Sequence, residues 1–209
     1  MIYAHEIREK KIRWEGPRPS LPKVKDDIFA WARFRKYLSA RHLDPLLAKA
    51  NGWYPARYKD TTRIIIPCSN RDGVPYFQGR AMNDDPLRYA SPPVPRDDSI
   101  VIVWPDQSKP QRGGVIIEGP MDALASAGMG FVGVALMGSC PTEDVFDHLA
   151  LFARAFQPLY VLPDADAPEF AAIVIGALAV RGLSCTARIL PKKDLAEMTI
   201  KQRREFFNA

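Results

Sequence analysis

The chain has 209 residues, enough for one large domain or two small ones, and its 47% apolar and 25% charged residues are typical of a globular protein. No apolar run approaches the ~20 residues needed to span a bilayer, and residues 1–6 lack the apolar core of a secretion signal. The three cysteines are too scattered for a disulfide framework or a paired-cysteine metal site. We therefore expect a cytoplasmic protein without a membrane partner. The net charge of +5 permits a nucleic-acid partner and does not by itself establish one.

Residues 1–25 are predicted to form a basic N-terminal arm. They contain seven basic and three acidic residues, a net charge of +4. Pro17, Pro19 and Pro22 prevent a long helix there and favour extended chain. Two interpretations stay open: an arm that contacts phosphates, or a solvated extension that packs on the body of the protein.

Residues 26–108 are predicted to form a small α+β subdomain. Asp26-Asp27 is typical of a helix N-terminus, and the apolar side of that helix continues to about residue 40. A second short helix is predicted from Pro45 to Ala50, where Asn51-Gly52 ends it. The predicted strands, separated by turn sequences, are 63–68, 74–81, 87–90 and 100–104.

Residues 105–114 are rich in Pro, Gln and Gly, a composition that predicts a linker. From residue 115 short apolar runs alternate with helical patterns, which predicts a parallel sheet covered by helices on both faces. The predicted strands are 115–117, 131–136, 159–162 and 184–190, and the predicted helices are 121–127, 142–156 and 168–181. We assign residues 113–197 to this α/β domain and residues 198–209 to a C-terminal tail that contains a short basic helix.

Acidic side chains follow three of these strands. Glu118 comes directly after the first strand, Asp164 and Asp166 come after the third, and Asp194 follows the last. Because the carboxyl ends of parallel strands meet at one edge of the sheet, these carboxylates share a rim if their strands are neighbours. Like charges repel there, and a divalent cation with oxygen ligands, above all Mg²⁺, relieves that repulsion. The alternative is that the acids cap helices or lie in loops, a role that suits Asp122 best.

Two motifs carry a resemblance to a known family. Residues 118–123, Glu-Gly-Pro-Met-Asp-Ala, resemble the EGxxD-type motif of the Toprim domain, which DnaG-type primases, topoisomerases and related nucleases share. Asp164-Ala165-Asp166 resembles the DxD motif of that domain, and residues 190–194 are similar to the primase segment that adds a further acid. The implied fold class is α/β: a Toprim domain, with a parallel sheet flanked by helices, preceded by a small α+β subdomain.

The upstream half is similar to the small subdomain of the DnaG-type primase catalytic core. The resembling segments are 63–67, Gly73, 78–81 and 88–92, with residues 37–54 as the helical lead-in. Topoisomerases and Toprim nucleases lack this module, so the resemblance favours a primase. The chain departs from the family where Arg88 replaces a lysine and Ala165 replaces the glycine of the DxD motif.

The resemblance implies a DNA-directed primase that uses Mg²⁺ or Mn²⁺ for nucleotidyl transfer and makes short RNA primers during DNA replication. It implies a single-stranded DNA template, ribonucleoside triphosphates and a separate replicative helicase as partners, in a bacterial cell and with a phage- or plasmid-borne gene. The implied catalytic residues are Glu118, Asp164 and Asp166, and the implied metal ligands are these three and Asp194. The implied nucleic-acid or nucleotide contacts are Arg63, Arg80, Arg88, Tyr89, Lys192 and Lys193.

Two other hypotheses remain open. The altered surroundings of the DxD motif favour a catalytically weak or inactive accessory protein that binds nucleic acid. A Toprim nuclease is the third hypothesis, and it ranks last because cleavage through a tyrosine needs a separate tyrosine-bearing domain.

Overall fold

The structure is a computed structural model that describes residues 19–71, 73, 75–138, 141–165, 167–191 and 194–208. The described chain forms a four-stranded sheet followed by a five-stranded sheet. Most of the predicted basic arm lies outside the described residues, as do Asp166, Lys192 and Lys193. In the described part of the chain no helix is long and apolar enough to cross a membrane.

Two helices open the described chain, as the sequence predicts. They are α1 (Ile28–Ser39) and α2 (Pro45–Ala50). Each begins after an aspartate whose carboxylate accepts a backbone hydrogen bond, Asp27 from Phe29 N and Asp44 from Leu46 N, both at 2.8 Å. The apolar side of α1 is buried at Phe34 and Leu38, which leaves its arginine- and lysine-bearing side facing solvent.

The first sheet is antiparallel, with the strand order β1-β2-β3-β4. The strands are β1 (Tyr54–Tyr58), β2 (Thr61–Cys68), β3 (Tyr76–Ala81) and β4 (Tyr89–Ala90). Strand β1 was not predicted, because Pro55 cannot donate a ladder hydrogen bond and the segment lacks a clear apolar alternation. The proline is tolerated because β1 lies at the edge of its sheet.

The second sheet has the order β5-β7-β6-β8-β9. The strands are β5 (Val101–Val103), β6 (Gly114–Ile117), β7 (Val132–Ala135), β8 (Leu159–Val161) and β9 (Thr186–Ala187). The last four pair in parallel, as predicted, and β5 runs antiparallel to β7. The strand predicted at 100–104 therefore belongs to the second sheet and not to the small subdomain, although a bridge between Ser69 and Ile100 ties it to the first.

Helices cover both faces of the second sheet. They are α3 (Pro120–Ala127), α4 (Glu143–Ala153), α5 (Glu169–Ala179), a short 3-10 helix (Leu195–Glu197) and α6 (Ile200–Asn208). Helices α4 and α5 form one core with one face of the sheet. On the other face α3, the 3-10 helix and α6 share a core with α1 and the first sheet, and this core buries Trp53, Leu195 and Phe207. The predicted tail at 198–209 is thus part of the packed body.

Helix α3 approaches strand β7 most closely at Gly133. A Cβ atom there would clash with the carbonyl oxygen of Ala123 and lie 2.7 Å from the carbonyl carbon. Only a glycine lets the helix backbone come this close to the sheet. The contact holds α3 against the amino half of β7.

Candidate active site

Two acidic side chains stand at the same edge of the second sheet. Strands β6 and β8 are parallel neighbours, with Ile116 opposite Val161, and Leu162 N donates to Ile116 O at 3.0 Å. Glu118 directly follows β6, and Asp164 follows β8 after two residues. The condition set by the sequence, that these strands be neighbours, is met. Both carboxylates are half-buried at this edge.

Asp122, in the first turn of α3, is a buried acid. Its side chain is 6% exposed, and its Oδ1 atom accepts a hydrogen bond from Ala196 N at 2.7 Å. Burial first, and then the charges of Asp194 and Asp164, raise the pKa of Asp122 to about 7 against the opposing effects of the Ala196 amide and Arg203. The structure therefore gives Asp122 a role in joining α3 to the 3-10 helix, and it shows that negative charge accumulates around it.

Asp194 begins the 3-10 helix. Its Oδ1 atom accepts a hydrogen bond from Glu197 N at 2.7 Å, which caps that helix. The negative charge of Asp194 helps to raise the pKa of Asp122, so Asp194 belongs to the same acidic region. Its proposed place among metal ligands stays a prediction.

The donor type of this region fits a divalent cation. Carboxylate oxygens are the ligands that Mg²⁺ and Mn²⁺ prefer, and the acidic charges at Asp164 and Asp194 already destabilise the ionised form of Asp122. Within the described residues, which leave out Asp166, no group of three His, Cys, Asp or Glu side chains is arranged to hold a metal ion. A three-carboxylate site here requires Asp166 in addition to Glu118 and Asp164.

Arg63 is a structural residue. Its side chain is fully buried, and its guanidinium donates to the Asp85 carboxylate at 2.6 Å and to the carbonyl oxygens of Leu87 and Tyr58 at 2.7 and 3.2 Å. These bonds hold β2 against the turn that precedes β4. Because the donors are used inside the protein, an internal ion pair replaces the predicted phosphate contact at Arg63.

Arg80 connects the first sheet to the acidic region. It is 4% exposed, its Nε atom donates to the Tyr37 hydroxyl at 2.7 Å, and its guanidinium lies 4.8 Å from the centre of the Tyr89 ring. No acceptor for its Nη1 atom is found within the described residues. Burial raises the pKa of Tyr89, and the charge of Asp122 adds to that rise while Arg80 opposes it. Tyr89 is thus close enough to Arg80 and Asp122 for their charges to affect its pKa.

Arg88 is exposed, unlike the other two predicted arginines. Its backbone carbonyl accepts a hydrogen bond from Ala81 N at 3.1 Å, which extends the pairing of β3 with β4. The side chain is accessible to a ligand at the edge of the first sheet.

Sequence reasoning missed three residues that shape the site. Arg96, after the proline-rich loop, donates to Met137 O at 2.5 Å and so brings a guanidinium to the end of β7. Tyr37 of α1 holds Arg80, and Arg203 of α6 acts on Asp122 through its charge. None of them has a local sequence signal, because each acts across a contact between distant parts of the chain.

The chain is similar to bacteriophage primase structures. It matches the crystal structure of the primase fragment of the bacteriophage T7 primase-helicase protein with a TM-score of 0.60 and 15% identity, over 93% of this chain and 81% of that one. It also matches the structure of the bacteriophage T7 lagging-strand DNA polymerase interacting with primase domains of two gp4 subunits bound to an RNA/DNA hybrid and dTTP, with a TM-score of 0.57 and 15% identity, over 81% of this chain and 87% of that one. The fold is primase-like. No protein-family model and no curated protein matches the sequence, so the likeness is one of structure alone.

Proposed function

We propose that this protein is the catalytic core of a DnaG-like primase, which synthesises short RNA primers on single-stranded DNA by metal-dependent nucleotidyl transfer. The observation that carries the proposal is the parallel pairing of β6 with β8, which brings Glu118 and Asp164 to one edge of a sheet within a primase-like fold. In this proposal the second sheet with its helices is a Toprim domain, and the first sheet is the small subdomain that faces it.

Glu118, Asp164 and Asp166 would hold Mg²⁺ or Mn²⁺, with Asp194 as a further ligand. Such ions stabilise the negative charge that builds on the attacking oxygen, the leaving oxygen and the phosphate between them during nucleotidyl transfer. Glu118 directly follows β6 and Asp164 follows β8 after two residues, so the ends of two paired strands support both carboxylates. That rigid support suits a site whose ligands must keep a fixed geometry.

The phosphate contacts in this proposal come from Arg80, Arg88, Lys192 and Lys193. Arg80 is held by Tyr37 and covered by Tyr89, so its planar guanidinium is fixed before a ligand arrives. Arg88 is exposed and would take a phosphate from solvent. We leave Arg63 out of this set because its guanidinium is used inside the protein.

The proposed substrates are a single-stranded DNA template and ribonucleoside triphosphates, and a separate replicative helicase is the proposed partner. In one of the similar structures the primase domains are bound to an RNA/DNA hybrid and dTTP. The same kinds of ligand suit an edge that combines carboxylates with arginines, because metal-bound phosphates need both.

The test is a primer-synthesis assay with labelled ribonucleotides on a panel of single-stranded templates, in Mg²⁺ and in Mn²⁺. We expect the wild type to make short RNA products and Asp164→Ala to lose at least about 100-fold in rate, since a lost transition-state contact of about 2.7 kcal/mol has that effect. Asp26→Asn is the matched control, because Asp26 is an exposed carboxylate outside the site and should leave the rate unchanged.

Absence of product from the wild type under every template and metal condition would contradict the proposal. Oligonucleotide binding that survives Asp164→Ala without any synthesis would instead support a non-catalytic accessory protein. Equal rates for wild type and Asp164→Ala would place the chemistry elsewhere in the chain.

A further inference from the structure

A basic cleft lies beside the acidic edge, between α1 and the 3-10 helix. It has a volume of about 900 Å³. The residues that matter here are Arg33, Lys36, Tyr37 and Arg41 on one side and Ala196 and Glu197 on the other. Since Ala196 and Glu197 follow Asp194, the cleft lies near one acid of the proposed metal site.

The cations of the cleft form no ion pair with the residues that the structure describes. Arg33 and Lys36 are exposed, Arg41 is half-buried, and the described residues contain no ion pair with any of the three. Glu197 is the single carboxylate among the described lining residues. Three cations around one concave surface attract anions more strongly than scattered surface charges do.

Aromatic contacts link the cleft to the candidate active site. The Arg41 guanidinium lies 5.2 Å from the centre of the Tyr37 ring, and the Tyr37 hydroxyl accepts the hydrogen bond from Arg80. Arg80 in turn lies over Tyr89. Cations and rings therefore alternate from the cleft to the acidic region, and alternating cationic and aromatic side chains are typical of surfaces that bind single strands.

We propose that this cleft binds the sugar-phosphate backbone of single-stranded nucleic acid next to the acidic edge. The identity of the ligand rests on the proposed function, whereas the charge and shape of the cleft do not. Arg33 lies about 9 Å from the end of α1 at a rise of 1.5 Å per residue, and Arg41 lies beyond that end. Cations spread over this length fit successive phosphates of a chain better than one triphosphate group.

The test measures binding of a fluorescein-labelled oligo-dT by anisotropy over a series of salt concentrations, in EDTA and without nucleotides. The variant combines Arg33→Gln, Lys36→Gln and Arg41→Gln. Each phosphate contact on a single strand contributes about 0.7 to the slope of log K against log salt. We expect the slope to fall by about 2, and the affinity at about 0.1 M salt to fall by up to about 100-fold.

The matched control combines Arg35→Gln, Arg57→Gln and Arg204→Gln. These three arginines are exposed, they do not line the cleft, and their replacement removes the same charge. Arg35 lies on α1 itself, so it also controls for changes in helix stability. We expect the control to keep most of the affinity and the slope, and Lys36→Glu alone to weaken binding, since its exposed side chain has no structural partner among the described residues.

Equal losses in the two triple variants would overturn the proposal, because net charge and not the cleft would then drive binding. Unchanged binding of the cleft variant would also overturn it. A third contrary result is loss of ATP binding, measured by equilibrium dialysis, with oligo-dT binding retained, since the cleft would then hold a triphosphate. Because these measurements need no catalysis, a protein that binds at the cleft but makes no primers would contradict only the proposed function.

Discussion

Replacing Asp122 by Asn should remove a pH dependence from the stability of the fold. In the unfolded chain this carboxyl releases its proton near its ordinary pKa of 3.8, whereas in the folded protein the pKa is raised to about 7. Between these values the folded state binds more protons than the unfolded state. The free energy of unfolding should therefore fall as the pH rises from about 4 to about 7, and no further loss from this group is expected above that range.

The magnitude follows from the two pKa values. The difference between about 7 and 3.8 corresponds to about 4 kcal/mol, at 1.36 kcal/mol per pKa unit, once both states are fully ionised. According to the linkage relation, about 2–3 kcal/mol of that loss of stability occurs between about pH 5 and pH 8. Asn at this position keeps an oxygen that accepts the hydrogen bond from Ala196 N, so the packing contact survives and only the charge is removed.

The assay is urea unfolding of wild type and Asp122→Asn in EDTA, at a series of pH values across this range. We expect the stability of the variant relative to wild type to rise by about 2–3 kcal/mol between about pH 5 and pH 8. Asp26→Asn, an exposed carboxylate, is the control and should show no such change. A difference between wild type and Asp122→Asn that stays constant with pH would refute the reasoning.

Two further predictions concern stability. Arg203→Met should lower the free energy of unfolding by about 3–5 kcal/mol in urea titrations, because the buried guanidinium donates to four backbone carbonyl oxygens. Arg203→Lys should recover part of this loss, and equal stability of Arg203→Met and wild type would contradict the prediction. Gly133→Ala should destabilise the fold by more than about 3 kcal/mol in the same measurement, since the new methyl group would clash with the backbone of α3. The control is Gly176→Ala in α5, where a new methyl group meets nothing within 4 Å and should stabilise the fold by up to about 1 kcal/mol. A neutral Gly133→Ala variant would contradict the close packing.

The parallel part of the second sheet could be predicted from sequence because its strands are short apolar runs between helical patterns. The position of Glu118 after one run and Asp164 after another fixes which end of its strand each acid follows. What the sequence could not supply is that β6 and β8 are neighbours, since pairing depends on the order in which strands assemble and not on their composition. The structure provides that order.

The wrong sequence predictions concern residues whose roles depend on contacts with distant parts of the chain. Arg63 lies in a strand and was assigned to phosphate, yet its partner Asp85 stands 22 residues later in a turn that gave no sign of the pairing. The strand at 100–104 was placed in the small subdomain, whereas its pairing with β7 puts it in the second sheet. Buried ion pairs and edge strands of this kind are set by tertiary packing, which local patterns do not encode.

Helix α6 shows how such distant contacts bear on function. Arg203 donates to the carbonyl oxygens of His42 and Arg41 at 2.7 and 3.0 Å and also to those of Leu195 and Ala196. One guanidinium thus holds both walls of the basic cleft, the loop after α1 and the 3-10 helix. The same 3-10 helix begins at an acid of the proposed metal site. Because one buried side chain fixes the spacing of the two walls, and one wall begins at that acid, a strand bound in the cleft would meet the acidic region at a set position, which is the condition for template-directed transfer.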